Sequence, residues 1–100
     1  MKLSSMLLIS SLLLSVPIIP ILLPGLALTQ EQQISNLLIQ GKAQAEVGNF
    51  EEAIQTLNQV VESEPKLAEA YTIRAYSYLG LQDTDSAITD FQKAAELHAS

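Results

Sequence analysis

A chain of 100 residues has room for one small domain together with a targeting segment. It contains no cysteine, which excludes a disulfide framework, a thiolate nucleophile and a cysteine-based zinc site. Eleven acidic residues against five basic ones give a formal net charge of −6. This balance argues against nucleic acid as a partner, because phosphate binding needs clustered lysine or arginine.

Residues 1–27 have the pattern of a secretory signal peptide or of a membrane anchor. Lys2 precedes an uncharged apolar run, which three prolines interrupt before small residues at Gly25 and Ala27. This order favours peptidase cleavage after Ala27. An uncleaved anchor stays open because the run is long enough to span a bilayer, although the prolines disfavour a straight helix. Either way, residues 28–100 are expected outside the cytoplasm, secreted, periplasmic or membrane-anchored, and in contact with the membrane only through an uncleaved leader.

The rest of the chain is predicted to hold two copies of one helical unit. A shift of 34 residues places five apolar positions of the first copy on five apolar positions of the second. These pairs are Ala53 and Ala87, Ile54 and Ile88, Leu57 and Phe91, Val60 and Ala94, and Val61 and Ala95. Their spacing of three or four residues is typical of a helix face, and no stretch alternates like a strand. The fold class is therefore predicted to be all-α.

Two helices are predicted in the first copy. The first begins at Thr29, because residues 29–32 (TQEQ) have the form of a capping box. It ends at Gly48, and Asn49 with Glu52 is expected to form a second capping box at the start of the next helix.

Two further helices are predicted in the second copy. Pro65 suits the first turn of the third helix, which is expected to run to about Gly80. Asp83 is expected to cap a fourth helix that ends near His98. The apolar positions expected to cover the third helix are Ala87, Ile88, Phe91, Ala94 and Ala95.

This 34-residue helix–turn–helix unit resembles the tetratricopeptide repeat. In residues 34–67 the family pattern is met by Leu37, Gly41, Gly48, Phe50, Ala53, Leu57 and Pro65. In residues 68–100 it is met by Tyr71, Ala75, Tyr78, Ala87, Phe91 and Ala94. Gln40 and Arg74 depart from the pattern, since the family usually has an apolar residue there. The resemblance implies that residues 28–100 form two antiparallel helical hairpins in a short right-handed α-solenoid, with close helix approach at Gly41 and Ala75.

No catalytic residue, cofactor site or metal site is predicted, and the chain is not expected to be an enzyme. His98 is the only histidine and stands close to the C-terminus without a fixed neighbour to tune it. The segment from Asp83 to Asp85 begins like a calcium loop. However, Ile88 takes the place of the glycine that the loop needs, and Ala94 takes that of the bidentate glutamate.

The resemblance also implies a concave groove, formed by the first helix of each unit, that holds an extended peptide or a partner's helix. The positions carried over are Leu38, Lys42, Ala45, Thr72, Tyr76 and Leu79. Lys42 can hold a carboxylate, and the Tyr76 ring offers rigid contact area. The alternative that Lys42 is a solvated surface lysine and Tyr76 a partly packed ring stays open at this stage.

The predicted function is a non-enzymatic protein–protein interaction module, either an adaptor or a scaffold, outside the cytoplasm or at the membrane. The partner is expected to be another protein, or a second copy of the chain. Self-association or docking on a chain that continues the stack is expected, because two repeats leave both ends of the stack uncovered. Two alternatives remain: a self-associating structural module of a membrane-associated assembly, and a small regulatory subunit of an enzyme.

Overall fold

The computed structural model describes residues 27–99. In this part of the chain there are four α-helices and no strand, which confirms the all-α prediction. The helices are α1 (Gln30–Glu46), α2 (Phe50–Ser63), α3 (Ala68–Gly80) and α4 (Thr84–Ala99). Apart from Ala27, the predicted leader lies outside the described residues. None of the helices between residues 27 and 99 has the length and apolar character needed to cross a bilayer.

The four helices pair as two hairpins. Short turns join α1 to α2 and α3 to α4, and the helices of each pair pack against each other. The second hairpin stacks on the first through α3, which contacts both α2 and α1. This arrangement confirms the predicted pair of antiparallel hairpins.

The hydrophobic core lies where α3 meets the first hairpin. Its buried members are Ile34 of α1, Ala53, Leu57 and Val60 of α2, and Ala70 and Ile73 of α3. Leu57 is completely buried, and a methyl group built on Gly41 would lie 2.9 Å from its Cγ and Cδ2 atoms. A glycine at this position therefore lets α1 approach α2 closely, as the resemblance to the repeat family implies.

Two of the three predicted helix caps are confirmed. Thr29 and Gln32 form the capping box: the Thr29 Oγ1 accepts from the Gln32 backbone N–H at 3.2 Å, and the Gln32 Oε1 accepts from the Thr29 N–H at 3.0 Å. Asp83 caps α4 by accepting from the Ser86 backbone N–H at 3.2 Å. The prediction for Asn49 is wrong, because its side chain makes no capping hydrogen bond. Its ψ of 68° departs from the extended backbone that a capping side chain requires.

Pro65 does not lie in the first turn of α3, as predicted, but in the turn before it. The helix begins at Ala68, after Leu67, which packs on the core. The carbonyl of Pro65 accepts a hydrogen bond from the Tyr71 hydroxyl at 2.8 Å. This side-chain bond links the turn to α3.

The prediction that five apolar residues of α4 cover α3 is wrong for two of them. Ala87 and Ala94 are buried and Phe91 is half-buried, but Ile88 and Ala95 are exposed. These two residues lie on the flank of α4 that no other helix of the described chain covers.

The two hairpin turns contain equivalent residues with positive φ, and this equivalence predicts a stabilising substitution. Gly48 has a φ of 87°, and Gln82, which lies 34 residues later, has a φ of 63°. A side chain disfavours this conformation by about 1 to 2 kcal/mol, whereas glycine adopts it freely. Allowing for the greater entropy of glycine in the unfolded chain, Gln82→Gly should raise the free energy of unfolding by about 0.5 to 1 kcal/mol. Urea denaturation measures the change, and Gln55→Gly, inside α2, should lower the same quantity.

Candidate functional site

A concave cavity of about 360 Å³ lies between α1 and α3. Its lining residues are Lys42, Ala45 and Glu46 of α1 and Glu69, Thr72, Ile73 and Tyr76 of α3. Within each helix these residues are spaced by one, three or four positions, so they share one helix face. Four of the six predicted groove residues are therefore brought together: Lys42, Ala45, Thr72 and Tyr76.

Leu38 and Leu79 do not line this cavity. Leu38 is half-buried because it packs against the core. Leu79 occupies the same place in the second repeat as Ala45 does in the first. Ala45 has α3 beside it, but no helix of the described chain lies beyond Leu79, which is exposed. The participation of these two residues in binding stays a prediction.

Tyr76 is the aromatic residue among those that line the cavity. The side chain is 60% exposed, and its ring meets the ring of Phe91 edge to face, with centroids 5.2 Å apart. This contact supports the ring from α4 while much of its surface stays accessible. A supported aromatic ring loses little conformational entropy on binding, which is why such residues dominate many interfaces.

The other polar groups of the cavity differ in their availability. The Thr72 hydroxyl donates to the backbone carbonyl of Ala68 at 3.2 Å, so its hydrogen is engaged within α3. Between residues 27 and 99 the only salt bridge joins Arg74 to Asp90. The exposed ammonium group of Lys42 is therefore unpaired within the described chain. Glu46 and Glu69 add negative charge to the same cavity, so it presents both signs around an apolar surface.

Three lining residues were not predicted: Glu46, Glu69 and Ile73. Glu46 lies four residues after Lys42 in α1. In α3, Glu69 lies three residues before Thr72 and Ile73 lies three residues before Tyr76. The one-turn spacing from a predicted position is the sequence signal that would have identified them.

Arg74 forms a polar cluster outside the cavity. Its Nε and Nη2 donate to the two carboxylate oxygens of Asp90, each at 2.7 Å, and its Nη1 donates to the Asn58 Oδ1 at 2.9 Å. The hydrogen bonds to Asp90 raise the pKa of the guanidinium above its ordinary value. Arg74 thus stands at a usually apolar position because an acid on the facing helix neutralises it. It ties together α2, α3 and α4 and does not reach the cavity.

The described residues show what the site offers chemically. Within residues 27–99, no three acidic, histidine or cysteine side chains are grouped closely enough to hold a metal ion. His98 is exposed near the end of α4. The cavity offers an apolar surface, one unpaired ammonium group and two carboxylates, and this set suits recognition of another molecule.

Comparison with known proteins identifies the same repeat. Residues 35–67 and residues 68–99 each match a family model described as "Tetratricopeptide repeat". The curated protein "Tetratricopeptide repeat protein 36" of Danio rerio is 36% identical over 66 residues. That match covers 66% of this chain but only 35% of the relative's length. No solved structure matches the chain significantly. The two matched ranges show two repeats of this family in the chain.

Proposed function

We propose that the cavity between α1 and α3 binds a peptide or helix of a partner protein. This chain belongs to the tetratricopeptide repeat family, whose repeats generally bind other proteins. One observation carries this proposal. Lys42 and Tyr76, which come from different repeats, line one cavity with both their functional groups available. The volume of the cavity lies in the lower range for ligand pockets. A cavity of this size accommodates one or two side chains of a partner.

The charges and surface of the cavity define the ligand class. An apolar side chain of the partner would pack against Ala45, Ile73 and Tyr76. A neighbouring carboxylate of the partner would pair with Lys42, and a charge-assisted bond of this kind is stronger than a neutral one. Because the chain as a whole carries a net charge of −6, a neutral or basic partner protein would approach it most readily.

The proposed role is that of a non-enzymatic adaptor acting outside the cytoplasm or at the membrane. The location is supported by the basic start, apolar run and small residues within residues 1–27. Removal of the leader would leave a chain that begins at Leu28. The mass of the chain isolated from cells distinguishes cleavage from retention of the segment as an anchor.

A photo-crosslink from position 76 tests the proposed groove. We expect the full chain with p-benzoylphenylalanine in place of Tyr76 to capture a different polypeptide in cells. The same residue at Gln55, which is exposed on α2 outside the cavity, should not capture it. Equal capture from both positions, or capture of no second protein, would contradict the groove assignment.

The identified partner segment then permits an affinity measurement. Lys42→Glu should weaken its binding to the chain by at least about tenfold, because the substitution replaces an attractive charge by a repulsive one. Lys93→Glu makes the same charge change at an exposed position of α4 and should leave the affinity unchanged. Equal effects of the two substitutions would show that only the net charge of the chain matters.

A further inference from the structure

The two repeats differ in burial, and the difference marks the surface by which one repeat contacts the other. Gly41 and Ala75 are equivalent and both buried, as expected for contacts inside each hairpin. Four positions of α3 are buried or half-buried, while their equivalents in α1 are all exposed. The α3 positions are Ala70, Ile73, Arg74 and Ser77, and the α1 equivalents are Asn36, Ile39, Gln40 and Ala43. We call this exposed set the α1 end face.

The opposite end of the stack shows the matching difference. Four positions of α2 are half-buried, and their equivalents in α4 are exposed. The α2 positions are Phe50, Ile54, Asn58 and Val61, and the α4 equivalents are Thr84, Ile88, Gln92 and Ala95. We call this second exposed set the α4 end face. The chain therefore presents, at its two ends, both halves of the interface that joins its own repeats.

Each end face combines amide side chains with one exposed isoleucine. Repeat arrays usually end in polar faces, but Ile39 is 63% exposed and Ile88 is 49% exposed. No charged residue belongs to either end face, although the chain carries sixteen charged residues, eleven acidic and five basic. Charge repulsion between two acidic chains would be weakest where these uncharged faces meet.

We propose that copies of this chain stack head to tail, with the α1 end face of one copy docked on the α4 end face of the next. The contact would repeat the packing of α3 on α2 inside the chain. In that packing Ile73 joins the core and Arg74 donates to Asn58. Between copies, Ile39 takes the place of Ile73. Gln40 meets Gln92 in place of the arginine–asparagine bond, and two amides satisfy each other as donor and acceptor.

Stacking also extends the groove, a consequence that rests on the proposed function. The same 34-residue shift that relates the repeats would form a second cavity between copies. Tyr76 and Leu79 of one copy would line it together with Leu38 and Lys42 of the next. Leu38 and Leu79 are the two predicted groove residues that the cavity within one chain leaves out. A head-to-tail contact leaves one end face uncovered at each end of a pair, so it generates rings or filaments longer than a dimer.

Thiol crosslinking between two variants tests the stacking. The chain has no cysteine, so introduced cysteines are its only thiols. The full-length Gln40→Cys and Gln92→Cys variants are purified in a mild detergent, mixed and treated with a short bis-maleimide. Both positions are exposed, so the substitutions leave the core intact. We expect a crosslinked dimer in the mixture and not in either variant alone, because only a head-to-tail contact joins position 40 to position 92.

A matched pair separates the contact from crowding in micelles. Gln40→Cys mixed with Gln55→Cys, which is exposed on the middle of α2, should give no dimer above background. Adding Ile88→Asp to the Gln92→Cys variant should reduce the crosslinked dimer by about tenfold, because burial of an unpaired carboxylate is unfavourable.

Two results of the crosslinking would overturn the stacking proposal. Crosslinking of a single variant with itself would show a symmetric contact between copies. Absence of any dimer would show that the end faces are covered by residues 1–26, by another protein or by nothing. Stacking without photo-capture at position 76 would remove the proposed groove function and leave the stacking intact. Photo-capture without stacking would remove the stacking proposal and leave the proposed groove function intact.

Discussion

Replacement of Asp90 by alanine should lower the free energy of unfolding by about 3 kcal/mol, toward the lower end of the range for breaking a buried ion pair. The side chain of Asp90 is only 6% exposed, and that of Arg74 is 17% exposed. Without the carboxylate, the guanidinium keeps its bond to Asn58 but loses both hydrogen bonds to Asp90. An unpaired charge would remain between three helices, and its desolvation would not be compensated.

Urea denaturation followed by circular dichroism measures this loss. Asp85→Ala removes an exposed acid from the first turn of the same helix and should cost no more than about 1 kcal/mol, the value of a helix-dipole interaction. The double substitution Arg74→Met with Asp90→Leu should recover most of the stability, since apolar pairs of similar volume often replace buried ion pairs without loss. Equal costs for Asp90→Ala and Asp85→Ala would show that the ion pair does not stabilise the fold.

The features of the fold that the sequence predicted correctly arise from short-range patterns. The 34-residue shift aligned the apolar positions of α2 and α4, because each helix needs one apolar stripe to pack on its hairpin partner. The caps at Thr29 and Asp83 were predictable, since a capping side chain bonds to a backbone N–H two or three residues away. Asn49 failed as a cap because its backbone conformation depends on how the turn after Gly48 closes, which local sequence does not determine.

The features that were missed depend on contacts between helices. Arg74 stood out as polar at an apolar position, but its compensation by Asp90 and Asn58 appears only when both facing helices are placed. The exposure of Ile88 follows from the absence of a further helix beside α4 in the described chain, although its equivalent Ile54 is half-buried. Four of the predicted groove residues line one cavity because the repeat register carries over one helix face. Glu46 and Glu69 were missed although they stand one helical turn from Lys42 and Thr72, so the same helix faces extend to them.

Replacement of Leu57 by alanine should lower the free energy of unfolding by about 3 kcal/mol, within the range for buried leucines. Leu57 is completely buried between α1 and the core, and its removal leaves a cavity beside Gly41.

In the original chain, Gly41→Ala should also be destabilising, because its new methyl group would press against the buried Leu57 side chain. In the Leu57→Ala background that obstruction is gone. There, Gly41→Ala should instead raise the free energy of unfolding by up to about 1 kcal/mol, the difference in helix propensity between glycine and alanine.

A double-mutant cycle between positions 41 and 57 therefore tests whether the close approach of α1 and α2 is maintained by this one contact. We expect a favourable coupling of about 1 to 2 kcal/mol in the doubly substituted chain, within the usual range for residues in direct contact. Ser35→Ala, at an exposed position of the same helix, should change stability equally in both backgrounds, by at most about 0.5 kcal/mol. Additive effects at Gly41 and Leu57 would mean that another contact sets the helix separation. The coupled result would explain physically why Gly41 stands in the first repeat where Ala75 suffices in the second. The first repeat packs the completely buried Leu57 against this position. The equivalent of Leu57 in the second repeat is Phe91, which is only half-buried.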